Sequence, residues 1–137
     1  MKKKKILITG ALGQDGKILS SILLKKKYDV FGIIKNKPYK EIDKNIKYKK
    51  VDLRDNKKLF DYIKKIKPEV IVHLASNNPS YNDSIKSNKF YKDNVFFTKS
   101  LIQSAIKSKL KIHFIFGNSS QIFSKKIKLV DEESKFI

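Results

Sequence analysis

The chain has 137 residues and a mass of 15.9 kDa, enough for one compact domain with one core and not for two. It has no cysteine, which excludes disulfides, cysteine-ligated zinc and thiol catalysis, and its isolated histidines, His73 and His113, argue against a metal site. The net charge is +19, yet 31 of the 32 basic residues are lysine, and only Arg54 carries the fork that phosphate and base readout favour.

Lys5 to Thr9 is a short apolar run that ends in glycines, and it reads as a buried parallel strand. Gln14 to Lys26 follows at helical spacing, with Ile18, Leu19, Ile22, Leu23 and Leu24 as its apolar residues. Tyr28 to Ile34 is the second strand, Lys35 to Asn45 a polar loop with Pro38, and Ile46 to Val51 the third strand. Asn56 to Lys67 is a second helix, carrying Leu59, Phe60, Ile63 and Ile66 and closed by Pro68. Val70 to Leu74 is the fourth strand, and Asn77 to Ser87 reads as a loop. Phe90 to Lys109 is a long helix with Val95, Thr98, Ile102, Ala105 and Ile106 on one face. Ile112 to Phe116 is the fifth strand, and from Gly117 the pattern fades into a charged tail.

Strands alternating with helices predict an α/β fold with a doubly wound parallel sheet. Right-handed crossovers favour the strand order 3-2-1-4-5 of a Rossmann-type fold. Nothing marks a second domain, so residues 1–137 are expected to form a single dinucleotide-binding domain.

Thr9-Gly10-Ala11-Leu12-Gly13-Gln14-Asp15-Gly16 lies between the first strand and the first helix, the context that gives a glycine motif meaning. Gly10 suits a tight turn. Gly13 lets the backbone approach a pyrophosphate, and Gly16 lets the helix pack closely on the sheet. The helix N-terminus adds free N–H groups and a partial positive charge, and Asp15 is a carboxylate at that favoured end. Three of the chain's five glycines fall here, which points to cofactor binding. An NAD site usually has an acid after the second strand. Here Ile34-Lys35-Asn36-Lys37 has none, and Lys35 or Lys37 suits a 2′-phosphate, so NADP is favoured with NAD kept as the alternative.

The glycine spacing resembles the short-chain dehydrogenase/reductase superfamily, in its extended epimerase/dehydratase branch that acts on nucleotide sugars. Gly13-Gln14-Asp15-Gly16 is similar to the first loop of the GDP-mannose 4,6-dehydratases. The resemblance implies NADP and a nucleotide-sugar substrate. It places Asp52 and Leu53 beside the adenine, and Leu74, Ala75 and Ser76 along the ribose and pyrophosphate. Asp52 also suits a turn cap, and His73 reads as a packed strand histidine. Asn94-Val95 resembles an Asn-Val pair of the family's fourth helix, structural or near the cofactor. By the same resemblance Ser119, in Asn118-Ser119-Ser120-Gln121-Ile122-Phe123, is the catalytic serine that hydrogen-bonds the sugar oxygen. Gln121 stands where the dehydratases carry an acid, which leaves room for an epimerase or reductase. The family's Tyr-x-x-x-Lys pair is absent, because none of the six tyrosines has a lysine four residues later.

Asp131-Glu132-Glu133-Ser134 resembles the run that precedes the family's Tyr-x-x-x-Lys helix, so the likeness covers only the N-terminal, cofactor-binding part of such an enzyme, and the expected domain is incomplete, without the family's last strands and C-terminal substrate-binding region. The expectations are therefore no turnover by this chain alone, marginal stability and retained cofactor affinity. A full-length form is expected to be a homodimer or homotetramer. A non-catalytic nucleotide-binding module of the same fold is the competing reading. The lysines are spread along the chain with abundant Ile and Asn, the residues of A/T-rich codons, so neither a specific nucleic-acid partner nor a membrane is expected. No stretch approaches the roughly 20 apolar residues of a membrane span, and a cytoplasmic location follows as the expectation.

Overall fold

A computed structural model describes residues 3–36, 43–77, 87–118 and 130–135, with side chains omitted at 87 and 88. In chain order the elements are β1 (Lys5–Thr9), α1 (Gln14–Lys25), β2 (Asp29–Ile34), β3 (Lys47–Lys50), α2 (Asn56–Ile66), β4 (Val70–His73), α3 (Ser87–Lys107) and β5 (His113–Phe116). The strands form one parallel sheet in the order β3-β2-β1-β4-β5, the arrangement expected from the alternation. β1 is central: Thr9 is level with Ile33 of β2 on one side and with His73 of β4 on the other.

Side chains alternate across the sheet because successive strand residues point to opposite faces. Ile6, Ile8, Val30 and Val72 face α1, packed with Leu19, Leu23 and Leu24. Leu7, Phe31, Ile33 and Ile71 face the other way, against Leu59, Ile63 and Ile66 of α2 and Phe97 and Leu101 of α3. The apolar strands β1, β2 and β4 are thus covered on both faces, as a parallel sheet requires, whereas Ile115 and Phe116 of β5 are exposed among the described residues. β3 lies at one edge, where the exposed Lys47, Lys49 and Lys50 discourage further strand pairing.

Caps set the helix limits. The Asp55 carboxylate accepts from Lys58 N–H at 3.0 Å and starts α2. Lys27, Lys67 and Lys109 follow the three helices with φ of 63°, 52° and 56°, the left-handed conformation that ends a helix. Because every helix runs antiparallel to the strands, these lysines share the sheet edge from which the strands start. Cations there also suit the negative helix ends.

Two helix faces differ from expectation. α3 starts at Ser87 rather than Phe90, and the stripe read from its sequence is split: Val95, Ile102 and Ile106 are 49%, 38% and 72% exposed, while Thr98 bonds His73 and Ala105 packs on the core. The buried face is Phe97, Ser100, Leu101, Ser104 and Ser108. On α1, Ile18 and Ile22 are exposed, whereas Gly16 and Ser20 are buried. On α1 the small residues Gly16 and Ser20 lie on the buried side, facing β1 and β2, while on α3 the buried serines accompany Phe97 and Leu101 on the side that packs against α2. Among the described residues no helix is long and apolar enough to cross a membrane, and no cluster of His, Asp or Glu suits a metal ion.

Candidate functional site: the crevice at the glycine turn

In a parallel sheet all strands end on one edge, and successive connections turn away from each other where the order reverses. Here that happens between β1 and β4, and the space above their ends is where such folds bind ligands. The turn after β1 builds it. Gly10 has φ +72°, and a Cβ there would stand 2.8 Å from Ala75 N and 2.9 Å from Leu74 C. Only glycine meets both demands, so the loops after β1 and β4 touch through their backbones.

Gly13 N–H then donates to Gly10 O at 2.9 Å, closing the turn, and Lys17 N–H donates to Gly13 O at 3.0 Å as the first bond of α1. The N–H groups of Gln14, Asp15 and Gly16 precede any helical acceptor, and Gly13 as N-cap supplies no side-chain oxygen for them. A Cβ on Gly13 would meet only Gly10 O, at 3.2 Å, so among the described residues the outer side of the loop is open. Three donors with no acceptor among the described residues, at the positive end of a helix and with no described atom but Gly10 O near the Gly13 position, fit an anionic diphosphate. This arrangement fits a dinucleotide cofactor.

The other candidates stand on the same edge. Lys35 is exposed directly after β2, and no carboxylate accompanies it in Ile34–Asn36. Asp52 is exposed, and its Oδ1 accepts from Arg54 N–H at 2.9 Å, which is the turn-cap geometry. Leu53 is buried and its side chain belongs to the core, so only its main chain is free to face a ligand. Leu74 and Ala75 are half-buried and Ser76 is exposed after β4. Thr9, Gly10, Gly13, Gln14, Asp15, Gly16 and Leu74–Ser76 are therefore brought together at the switch point, with Lys35, Asp52 and Leu53 along the same rim. Lys37, Ser119 and Gln121 lie outside the described residues.

His73 is not a free base. It is 1% exposed and sits in a hydrogen-bonded chain that fixes its tautomer. Thr98 Oγ1 donates to Asn94 O at 3.0 Å, so it accepts from His73 Nε2–H at 3.0 Å. Thr9 Oγ1 accepts from Ala75 N–H at 3.2 Å and donates to His73 Nδ1 at 2.6 Å. The Thr98 proton is committed to Asn94 O, which makes Nε2 the protonated nitrogen, and burial keeps the ring neutral, so Nδ1 is left to accept from Thr9. The ring thereby ties the end of β1 and the loop after β4 to α3. Phe116 stacks on it with centroids 5.6 Å apart.

Burial pushes the His73 pKa down from 6.5 to about 4. The unfolded chain therefore binds more protons between these values, and stability falls as pH drops from 6.5 to about 4. Equilibrium urea unfolding is expected to show a loss of roughly 3 kcal/mol from this group over that range. His73→Asn is expected to flatten the slope, and an equally steep slope in the variant would assign it to other groups.

Burial pushes Tyr62 up to about 12 and raises Tyr48, which takes both away from proton transfer near neutrality. The tie between Thr9, His73 and Thr98 was not legible beforehand. Its partners lie far apart in the chain, and threonine on a helix carries no local signature of a buried histidine partner.

A family model described as the NAD dependent epimerase/dehydratase family matches residues 6–136. The chain is 33% identical over 90 residues to GDP-mannose 4,6 dehydratase of Cricetulus griseus, covering 56% of this chain and 24% of that protein. It is 29% identical over 130 residues to dTDP-D-glucose 4,6-dehydratase of Dictyostelium discoideum, covering 88% of this chain and 30% of that protein. The UDP-glucose 4-epimerase of Bifidobacterium longum, solved with NAD+ and UDP, shares the fold with a TM-score of 0.81 at 21% identity, over 97% of this chain and 42% of that one. The chain thus spans less than a third of the length of these two curated relatives.

Proposed function

Since the chain belongs to the NAD-dependent epimerase/dehydratase family, we propose that it supplies the cofactor-binding part of a nucleotide-sugar dehydratase resembling the GDP-mannose 4,6-dehydratases. The observation that carries the reading is the glycine loop, with three N–H donors behind Gly13 that have no acceptor among the described residues. In this reading the N–H groups of Gln14, Asp15 and Gly16 hold the pyrophosphate, and Leu74, Ala75 and Ser76 form the adjoining wall. Asp52 and Leu53 lie toward the adenine. NADP is the proposed form: a 2′-phosphate finds Lys35 at the end of β2, where an NAD site would present an acid. The bound nicotinamide supplies a reversible hydride acceptor for transient oxidation of the sugar. Ser119 is the proposed donor to the sugar oxygen.

A nucleotide sugar is the proposed substrate of the full-length form, and the dehydratase relatives support that class. Gln121 in place of the expected acid favours, as a second reading, an epimerase or reductase of the same family. A homodimer or homotetramer in the cytoplasm belongs to the same proposal. The outward stripe of Tyr91, Val95, Ile102 and Ile106 on α3 supports self-association.

Titration with NADPH, followed by its fluorescence, tests the reading. Saturable binding below millimolar ligand is expected, with NADH weaker. No binding at millimolar ligand would overturn it. Conversion of GDP-mannose by this chain is not expected, because it offers no Tyr-x-x-x-Lys pair to move the proton that accompanies the hydride.

A further inference from the structure

We propose that Asp93 is a positioning residue of the dinucleotide crevice, its carboxylate tying the loop after β3 to the loop after β4 and so setting the separation of the crevice walls. The inference rests on the cofactor-binding reading above. Arg54 Nη2 donates to Asp93 Oδ2 at 2.8 Å, and Asn77 Nδ2 donates to the same oxygen at 3.0 Å. The next residue of α3 completes the grip: Asn77 N–H donates to Asn94 Oδ1 at 2.7 Å, and Asn94 Nδ2 donates to Asn77 O at 3.0 Å. Arg54 is also held from below, its guanidinium 5.4 Å from the centroid of the Phe97 ring.

The placement of these residues gives the link its consequence. Asp52 and Leu53 directly precede Arg54, and Leu74, Ala75 and Ser76 directly precede Asn77. β2 and β1 separate β3 from β4 in the sheet, so these two loops have no common strand neighbour. The connection runs instead over α3, through one oxygen that receives a donor from each side.

Chemistry and magnitude both favour positioning over stabilisation. Arg54 is the single arginine among 32 basic residues, at the one described place where a planar cation lies over a ring while donating to a carboxylate. Lysine, a point charge, does not reproduce that fork. The pair is too solvated to contribute much stability, with Arg54 46% and Asp93 19% exposed, and such pairs are worth about 0–1 kcal/mol. What the carboxylate supplies is a fixed geometry for two loops. A dinucleotide spans both, whereas inorganic pyrophosphate needs only the glycine loop and the start of α1.

The test uses the full 137-residue chain. Asp93→Ala and Arg54→Lys are titrated with NADPH and with inorganic pyrophosphate, and thermal melts are followed by circular dichroism. NADPH affinity is expected to fall about tenfold in Asp93→Ala, which frees both loops, and by less in Arg54→Lys. Pyrophosphate affinity and melting temperature are expected to hold in both. Unchanged NADPH affinity in Asp93→Ala overturns the positioning role alone. A parallel loss of pyrophosphate affinity in both variants also overturns it, since Asp93 would then support the fold and not the crevice. A wild-type chain that binds no NADPH removes the cofactor reading, and this role with it.

Discussion

Gly16→Ala is expected to destabilise the fold by about 2 kcal/mol net. The added Cβ would stand 2.3 Å from Gly10 O, 2.8 Å from Ala11 Cα and 2.9 Å from Ala11 C. All three are backbone atoms, so no rotamer change relieves the contact. α1 must instead lift away from the turn that its own N-terminus closes. Overpacking of this kind costs about 1–3 kcal/mol and occasionally more. Against it stands the helix propensity gained by replacing glycine, at most about 1 kcal/mol and less in a first turn. The steric term wins. For a chain of this size the net loss lowers the melting temperature by very roughly 10 °C, read by a thermal melt. Gly32→Ala is the contrast. Its Cβ would meet side-chain atoms, the Ala11 methyl and the Tyr48 ring, both at 2.8 Å; the half-buried Tyr48 ring can rotate, whereas the buried Ala11 methyl moves only with its backbone. A Gly16→Ala variant that melts with the wild type would mean that α1 is not seated against the turn.

The contrast between these glycines also shows what was legible in advance. The strand order was, because β1, β2 and β4 are apolar runs that only a doubly covered parallel sheet accommodates, and right-handed crossovers leave few arrangements. The glycine turn was legible for a similar reason: its spacing has a local steric meaning. The inner faces of α1 and α3 were not. Hydrophobic periodicity picks out Ile18, Ile22, Val95, Ile102 and Ile106, yet those side chains are exposed, while Ser20, Ser100, Ser104 and Ser108 are buried. Where a helix must lie close to its neighbour, β1 and β2 for α1 and α2 for α3, small residues take part of the inner face, and periodicity of large apolar residues alone does not find it. The Arg54, Asp93 and Asn77 cluster was hidden for another reason. Its members lie on different elements, and each is by itself an ordinary polar surface residue.

Gly13→Ser is expected to separate binding from folding. Serine is a preferred N-cap, and Gly13 already has φ −68° and ψ 170°, which any residue adopts. The new Cβ meets only Gly10 O, at 3.2 Å, a contact relieved by a shift of a few tenths of an ångström. Stability should therefore change by less than about 1 kcal/mol, in either direction. The ligand loses twice over. The Cβ stands in the open space that a pyrophosphate needs for close approach. The hydroxyl oxygen is also placed to accept from the N–H of Asp15 or Gly16, claiming a donor that the phosphates would use. Each charge-assisted bond lost is worth about 1.5–3 kcal/mol, so NADPH affinity should fall by at least about tenfold with the melt unchanged. Loss of binding without loss of fold is what the phosphate reading of the loop requires. Retained affinity would place the dinucleotide elsewhere and leave the turn as a packing device between β1, β4 and α1.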